Sequence, residues 1–156
     1  MMESKRTICV TVINEHSVLA RISGLFAGRG YNIESLCVAP LPNTDLSYIT
    51  ITTKGNDKVF EQIVKQLHKL IPVLSVVESD TLLQKEMVLI KLPIKQPLAD
   101  IKALCESYNG LIADATDKHI IITATDEPTR IDSFLSALEQ YKPKEIIRSG
   151  VVAIER

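Results

Sequence analysis

The chain has 156 residues, 46% of them hydrophobic and 24% charged, with a formal net charge of −1. This is enough apolar material for a packed core in one ordinary domain or two small ones, and too much for a disordered chain. Eight basic against seven acidic side chains in residues 1–79, and ten against twelve in residues 80–156, give no basic field for a phosphate backbone, and 4% aromatics without Trp give few stacking platforms, so no nucleic-acid partner is expected.

Thr7–Ile13 alternates, with Ile8, Val10 and Val12 on one side and Cys9 and Thr11 on the other, which predicts a strand with one buried face. Ser17–Arg29 changes to helical spacing, with Val18, Leu19, Ile22, Leu25 and Phe26 on one stripe and Gly28 and Gly30 closing it. Asn32–Ala39 reads as a second strand, Pro40, Pro42 and Asn43 as a turn, and Tyr48–Lys54 as a third strand. Gly55-Asn56 then precedes a helix with Val59, Ile63, Leu67 and Leu70 at helical intervals; Pro72 ends it, and Val73–Glu78 is a fourth strand.

The second half repeats the order with little sequence in common. Glu86–Leu92 is a strand, and Pro97 suits the first turn of a helix carrying Leu98, Ile101, Leu104 and Cys105. After Asn109-Gly110, Leu111–Thr116 and His119–Thr125 form a hairpin; Pro128 opens a helix with Ile131, Phe134, Leu135 and Leu138, and Glu145–Ile154 is the last strand. The expected fold class is α+β, two tandem ferredoxin-like βαββαβ domains, each a four-stranded antiparallel sheet with two helices on one face. We place the domains at 1–79 and 80–156, with the boundary in the polar stretch Ser79–Gln84.

The helix-facing residues of the first sheet are apolar, whereas its other face shows Cys9, Thr11, Tyr48, Thr50 and Thr52 without a charge. Threonine is a good strand former, but an uncharged face also suits an interface, and association would help a domain this small. Gly24 lies inside the first helix, where Gly costs about 1 kcal/mol relative to Ala; close packing against a neighbour would offset that.

The fold alone does not indicate function. The loop Asn14-Glu15-His16-Ser17 lacks the Cys-x-x-Cys of a metal carrier, and His16, His68 and His119 have no ligand spacing. Asp114 and Asp117 bracket a hairpin turn, and no nucleophile, phosphate-cradling or zinc-protease motif occurs, so no catalytic residue and no metal are expected. Cys9, Cys37 and Cys105 are odd in number and far apart, which suits reduced thiols. No uncharged apolar run approaches ~20 residues, and the opening Met-Met-Glu-Ser-Lys-Arg does not read as a signal peptide. A soluble, cytoplasmic protein without a membrane partner is the expectation.

The loop before the first helix offers more. A helix N-terminus presents unpaired N–H groups and a partial positive charge, and Asn14 just ahead of it is both donor and acceptor. Asn32 opens the next strand and is placed to approach the same loop, or that of a partner in a dimer. Such a pocket suits a free amino acid. Spacing alone favours the plainer reading, Asn14 as a turn residue and Asn32 as a strand-entry residue.

Gly24-Leu25-Phe26, the run Arg29-Gly30-Tyr31-Asn32-Ile33-Glu34-Ser35-Leu36-Cys37-Val38-Ala39-Pro40, then Glu61-Gln62-Ile63, Lys65-Gln66-Leu67-His68-Lys69-Leu70 and the closing Arg148-Ser149-Gly150-Val151-Val152 resemble the signature of bacterial acetolactate synthase small regulatory subunits. The resemblance is dense over 8–80 and thinner after 85. It implies an N-terminal ACT domain, edge-to-edge homodimers of that domain, and valine bound at the junction as feedback inhibitor. The matching positions are Asn14, the loop residues His16, Ser17 and Val18, and Asn32. The family's large catalytic subunit carries thiamine diphosphate, FAD and magnesium and joins two pyruvates, or pyruvate and 2-oxobutyrate, in branched-chain amino-acid synthesis. The small chain binds no cofactor; it raises that activity and confers inhibition. The family usually has Gly where Ser17 stands, so the added side chain implies either a looser hold on valine or a hydroxyl in place of a water contact; feedback that remains but is weakened is the expectation. A free-standing ACT amino-acid sensor with another partner is the alternative; a small ferredoxin-like enzyme lacks its chemistry.

Overall fold

In a computed structural model, which describes residues 3–78 and 80–156, eight strands and four helices run in the order β1 Ser4–Ile13, α1 Val18–Gly28, β2 Ile33–Pro40, β3 Leu46–Gly55, α2 Asp57–His68, β4 Val73–Val77, β5 Leu82–Pro93, α3 Leu98–Ser107, β6 Gly110–Ala115, β7 His119–Asp126, α4 Pro128–Leu138 and β8 Glu145–Glu155. The strands form two four-stranded sheets, ordered β2-β3-β1-β4 and β6-β7-β5-β8, so the βαββαβ pattern occurs twice. Met1 and Met2 of the opening read as no signal peptide, and Ser79 of the expected boundary, lie outside the described residues. No helix among the described residues is long and apolar enough to cross a membrane.

The chain divides into two compact units, Met1–Leu83 with Val151–Arg156, and Gln84–Gly150. The terminal six residues, assigned from sequence to the second domain, therefore belong to the first unit. Their strand β8 runs through Gly150, whose φ of 85° only glycine adopts freely.

In the first unit, β1 and β3 pair in an unbroken antiparallel register from Ser4↔Gly55 to Ile13↔Leu46. Alternation then sends Ile8, Val10, Val12, Ile49 and Ile51 to the helix side, where they pack with Val18, Ile22, Leu25, Phe26, Phe60, Ile63 and Leu67. Phe60 is fully buried although the expected stripe of α2 ran through Val59, which is only partly buried; Leu19, expected on the stripe of α1, is exposed. Asn56 caps α2, its side chain accepting from the Val59 N–H at 3.0 Å.

The uncharged rear face of this sheet is covered, and the covering group comes from the same chain. Leu82 and Ala153 pack with Cys9, beside Tyr48 and Val77. The Ala153 carbonyl accepts the Tyr48 hydroxyl at 2.8 Å and the Cys9 thiol at 3.8 Å. Thr7, Thr50 and Thr52 are buried on this face, with the Thr7 and Thr52 hydroxyls 3.3 Å apart. Burial pushes the Cys9 thiol up from its ordinary value, so it stays protonated and able to donate.

The second unit buries Val88, Ile90, Leu92, Ile120, Ile122 and Ala124 against Ile101, Cys105, Ile131, Phe134 and Leu138. Pro128 occupies the first turn of α4, as its missing N–H allows. Asp126, just ahead of that helix, is buried. Desolvation alone would raise its pKa, but hydrogen bonds from Arg130 at 2.6 Å, the Glu127 N–H at 2.8 Å and Asn109 at 3.1 Å hold it below the usual carboxylate range. Arg148 pairs with the buried Glu86 and reaches Asp132 at 2.8 Å, while the Met87 N–H donates to the Ser149 hydroxyl at 3.0 Å. The closing Arg-Ser-Gly run thus ties β8 to β5 and α4.

Replacing Tyr48 with Phe removes one donor from the Ala153 carbonyl and keeps the ring. Urea unfolding should show a loss of about 1 kcal/mol, with faster labelling of Cys9 by a thiol reagent. Unchanged stability and labelling would mean that residues 151–156 do not hold the rear face closed.

Candidate functional site

At the end of β1 the backbone leaves the sheet with the Asn14 N–H donating to the Asp45 carbonyl at 2.8 Å and the Glu15 N–H to Ile13 at 2.9 Å. Asn14, Glu15 and His16 line an open depression of about 560 Å³ beside the start of α1. All three side chains are exposed, and that of Asn14 makes no hydrogen bond with the described residues. Val18 is different. Its side chain belongs to the core, so only its main chain is available to a ligand.

Ser17 sits at the N-cap of α1 with φ 72° and ψ −4°, a left-handed backbone that side-chain-bearing residues rarely adopt, and its hydroxyl makes no capping hydrogen bond. Serine is a favoured N-cap residue, but this one does not fill that role. Its carbonyl accepts the Arg21 N–H at 2.9 Å, which closes the first turn, and no acidic side chain lies in that turn. The N–H groups of the first turn thus face outward without a side-chain partner. Left-handed backbone costs a non-glycine residue roughly 1–2 kcal/mol, which gives a physical reason for glycine at this position.

Asn32 lies elsewhere. Its carbonyl accepts the Thr53 hydroxyl at 2.5 Å and its amide donates to Glu34 at 3.3 Å. Thr53 is in register with Arg6, eight residues before Asn14 along β1. At ~3.3 Å per strand residue the two asparagines are at opposite ends of the sheet, roughly 26 Å apart. Of the two approaches expected for Asn32, that to the Asn14 loop of its own chain is not made, because α1 and the segments flanking it carry the backbone back along the sheet between them. Within one chain the structure brings together Asn14, His16, Ser17 and the main chain of Val18, but not Asn32.

No sequence signal singled out Glu15, which shares the depression. Gly24 has no heavy atom within 4 Å of where a Cβ would stand, so packing against its own sheet does not offset its cost. No group of three or more His, Cys, Asp or Glu among the described residues is arranged to hold a metal ion.

Two family models match the chain: an AHAS small subunit-like ACT domain over residues 8–75, and the small subunit of acetolactate synthase over residues 85–156. A probable acetolactate synthase small subunit of Archaeoglobus fulgidus is 40% identical, with 97% of each chain covered. This chain belongs to the acetolactate synthase small-subunit family. The isozyme 3 small subunit of Escherichia coli is also 40% identical, over 97% of this chain and 96% of its own. The crystal structure of the small subunit from Thermotoga maritima superposes with a TM-score of 0.86 at 33% identity, covering 98% of both chains. The first unit is thus an ACT-like fold of this family.

Ser17→Gly should stabilise the chain by about 0.5–1 kcal/mol net of glycine's greater freedom when unfolded. Ser17→Ala should change stability little, since no cap bond is lost. A loss near 1 kcal/mol for Ser17→Ala in urea unfolding, the usual cost of removing a cap, would contradict this geometry.

Proposed function

We propose that this chain is the non-catalytic regulatory subunit of an acetolactate synthase in the cytoplasm, raising the activity of a large catalytic subunit and making it subject to feedback inhibition by valine. The observation that carries this reading is similarity to acetolactate synthase small subunits along the whole length, together with a fold matching one of them. In this reading thiamine diphosphate, FAD and magnesium reside on the catalytic partner, and this chain contributes binding energy and no chemistry.

The valine site is read as shared between two chains. Its polar end is the Asn14 loop, where outward N–H groups and the partial positive charge at the start of α1 suit the ligand's carboxylate. Its other end is Asn32 of the partner subunit. β2 is an edge strand, with one side of its backbone free to pair. Antiparallel pairing of two β2 strands about their middle carries Asn32 of the partner subunit to the end of the sheet where Asn14 stands. This also accounts for the distance between the two asparagines in one chain. A ligand held by both chains links binding to association, so valine favours whichever assembly presents the closed junction. His16 and Ser17 line the approach, and the strain at Ser17 weakens the site by disfavouring the backbone the ligand needs.

Acetolactate formation by the catalytic subunit should rise on adding this chain and fall again as valine is titrated. Asn14→Ala or Asn32→Ala should raise the half-inhibitory valine concentration at least about tenfold, the worth of one hydrogen bond to a charged group, with stimulation largely kept. Ser17→Gly should lower it. No stimulation at saturating chain would move the reading to a free-standing ACT sensor with another partner.

A further inference from the structure

β2 enters the first sheet through an irregularity. Its register against β3 runs Ile33↔Thr53 and then Ser35↔Thr52, so Glu34 is an extra residue without a cross-strand partner, a β-bulge. The bulge is what lets Ile33 and Leu36 both pack against the helix-side core, which strict alternation would forbid. It also places Ser35, beside the buried Thr52, on the rear of the sheet. Beyond it, Ser35 to Pro40 pair with β3 in regular register.

Asn32 stands directly before this bulge. Its carbonyl accepts the Thr53 hydroxyl, and its side chain donates to Glu34, the extra residue itself. Tyr31 and Ile33, on either side of it, pack against the core. The direction in which the Asn32 side chain leaves the sheet is therefore set by where the bulge sits, since moving the extra residue by one position turns its neighbours to the opposite face. The rear side of the bulge is held by the C-terminal segment: the Val151 N–H donates to the Ser35 hydroxyl at 3.4 Å. That donor is fixed in turn. Val151 is buried, and two residues further on the Ala153 carbonyl accepts from Tyr48 and Cys9.

We infer that Ser35 is a positioning residue for the valine site: by accepting the Val151 N–H it holds the bulge at Glu34 and keeps Asn32 turned toward Asn14 of the partner subunit. This rests on the reading of Asn32 as one end of a site shared by two chains. Ser35 touches no ligand and acts through Asn32. Alanine at 35 leaves the Val151 N–H without this acceptor and frees the extra residue to move along the strand. Threonine keeps the hydroxyl and suits a strand. A Ser35 that served only to close the rear face would change stability and leave the response to valine as it is.

The test is valine inhibition of acetolactate formation by the catalytic subunit with the full chain as wild type, Ser35→Ala, Ser35→Thr, Asn32→Ala and Ser35→Ala/Asn32→Ala, folding being checked by circular dichroism and thermal melting. Ser35→Ala should raise the half-inhibitory valine concentration about fivefold, the equivalent of one neutral hydrogen bond. The chain concentration for half-maximal stimulation should stay at the wild-type value, and Ser35→Thr should respond to valine as wild type does. Added to Asn32→Ala, Ser35→Ala should cause no further shift, because the side chain it positions is gone. A Ser35→Ala curve that superimposes on wild type, a threonine variant as impaired as alanine, or an undiminished shift in the Asn32→Ala background would each overturn the proposal. A wild-type chain that stimulates the enzyme but ignores valine would overturn the reading of the shared site, and this inference with it.

Discussion

The first unit depends on what closes the back of its sheet. A four-stranded sheet with two helices has one face it covers itself and one it does not, and here the uncovered face carries Cys9, Tyr48, Thr50 and Thr52. Those side chains carry donors and acceptors that burial penalises unless each finds a partner. The Ala153 carbonyl supplies one partner to both Tyr48 and Cys9, and the Thr52 hydroxyl pairs with that of Thr7. No buried side-chain nitrogen or oxygen among the described residues is left without a hydrogen bond. With both faces covered, the sheet is a rigid platform, and variation is confined to its edge strand and to the loops at its ends.

The separation of Asn14 from Asn32 follows from that platform. A β-strand followed by an antiparallel helix and its flanking segments returns the backbone toward the end it started from, so Asn14 and Asn32, before and after α1, are held at opposite ends of the sheet. No local rearrangement joins them in one chain while the register from Ser4↔Gly55 to Ile13↔Leu46 stands. A site using both asparagines therefore needs a second chain. In the proposed reading, that requirement couples ligand binding to assembly.

Much of the fold was legible because strand and helix periods differ and each half obeyed them. Ile8, Val10 and Val12, or Ile131, Phe134 and Leu138, need no tertiary information to be assigned to a core. Periodicity was less reliable at margins. Phe60 and Val59 are adjacent on α2, and only packing decides which turns inward. The short 3-10 turn Glu139–Tyr141 at the end of α4 carries no signal of its own. The return of 151–156 to the first unit was hidden because it is a matter of where a strand goes after Gly150, not of what its residues prefer. At the candidate site the residue types of Asn14 and Ser17 were readable, and the resemblance supplied the expectation of glycine at 17. The left-handed backbone that explains that expectation is a property of the loop's path, which composition does not encode.

The most direct test of the shared site is a mixing experiment. Chains carrying Asn14→Ala and chains carrying Asn32→Ala are each assayed with the catalytic subunit across a valine titration, then unfolded together, refolded and assayed as a mixture. A shared junction predicts that each variant alone escapes inhibition and that the mixture regains part of it, because one junction of every mixed dimer pairs an intact Asn14 with an intact Asn32. A mixture as insensitive to valine as its components, with stimulation preserved, would contradict a site built from two chains.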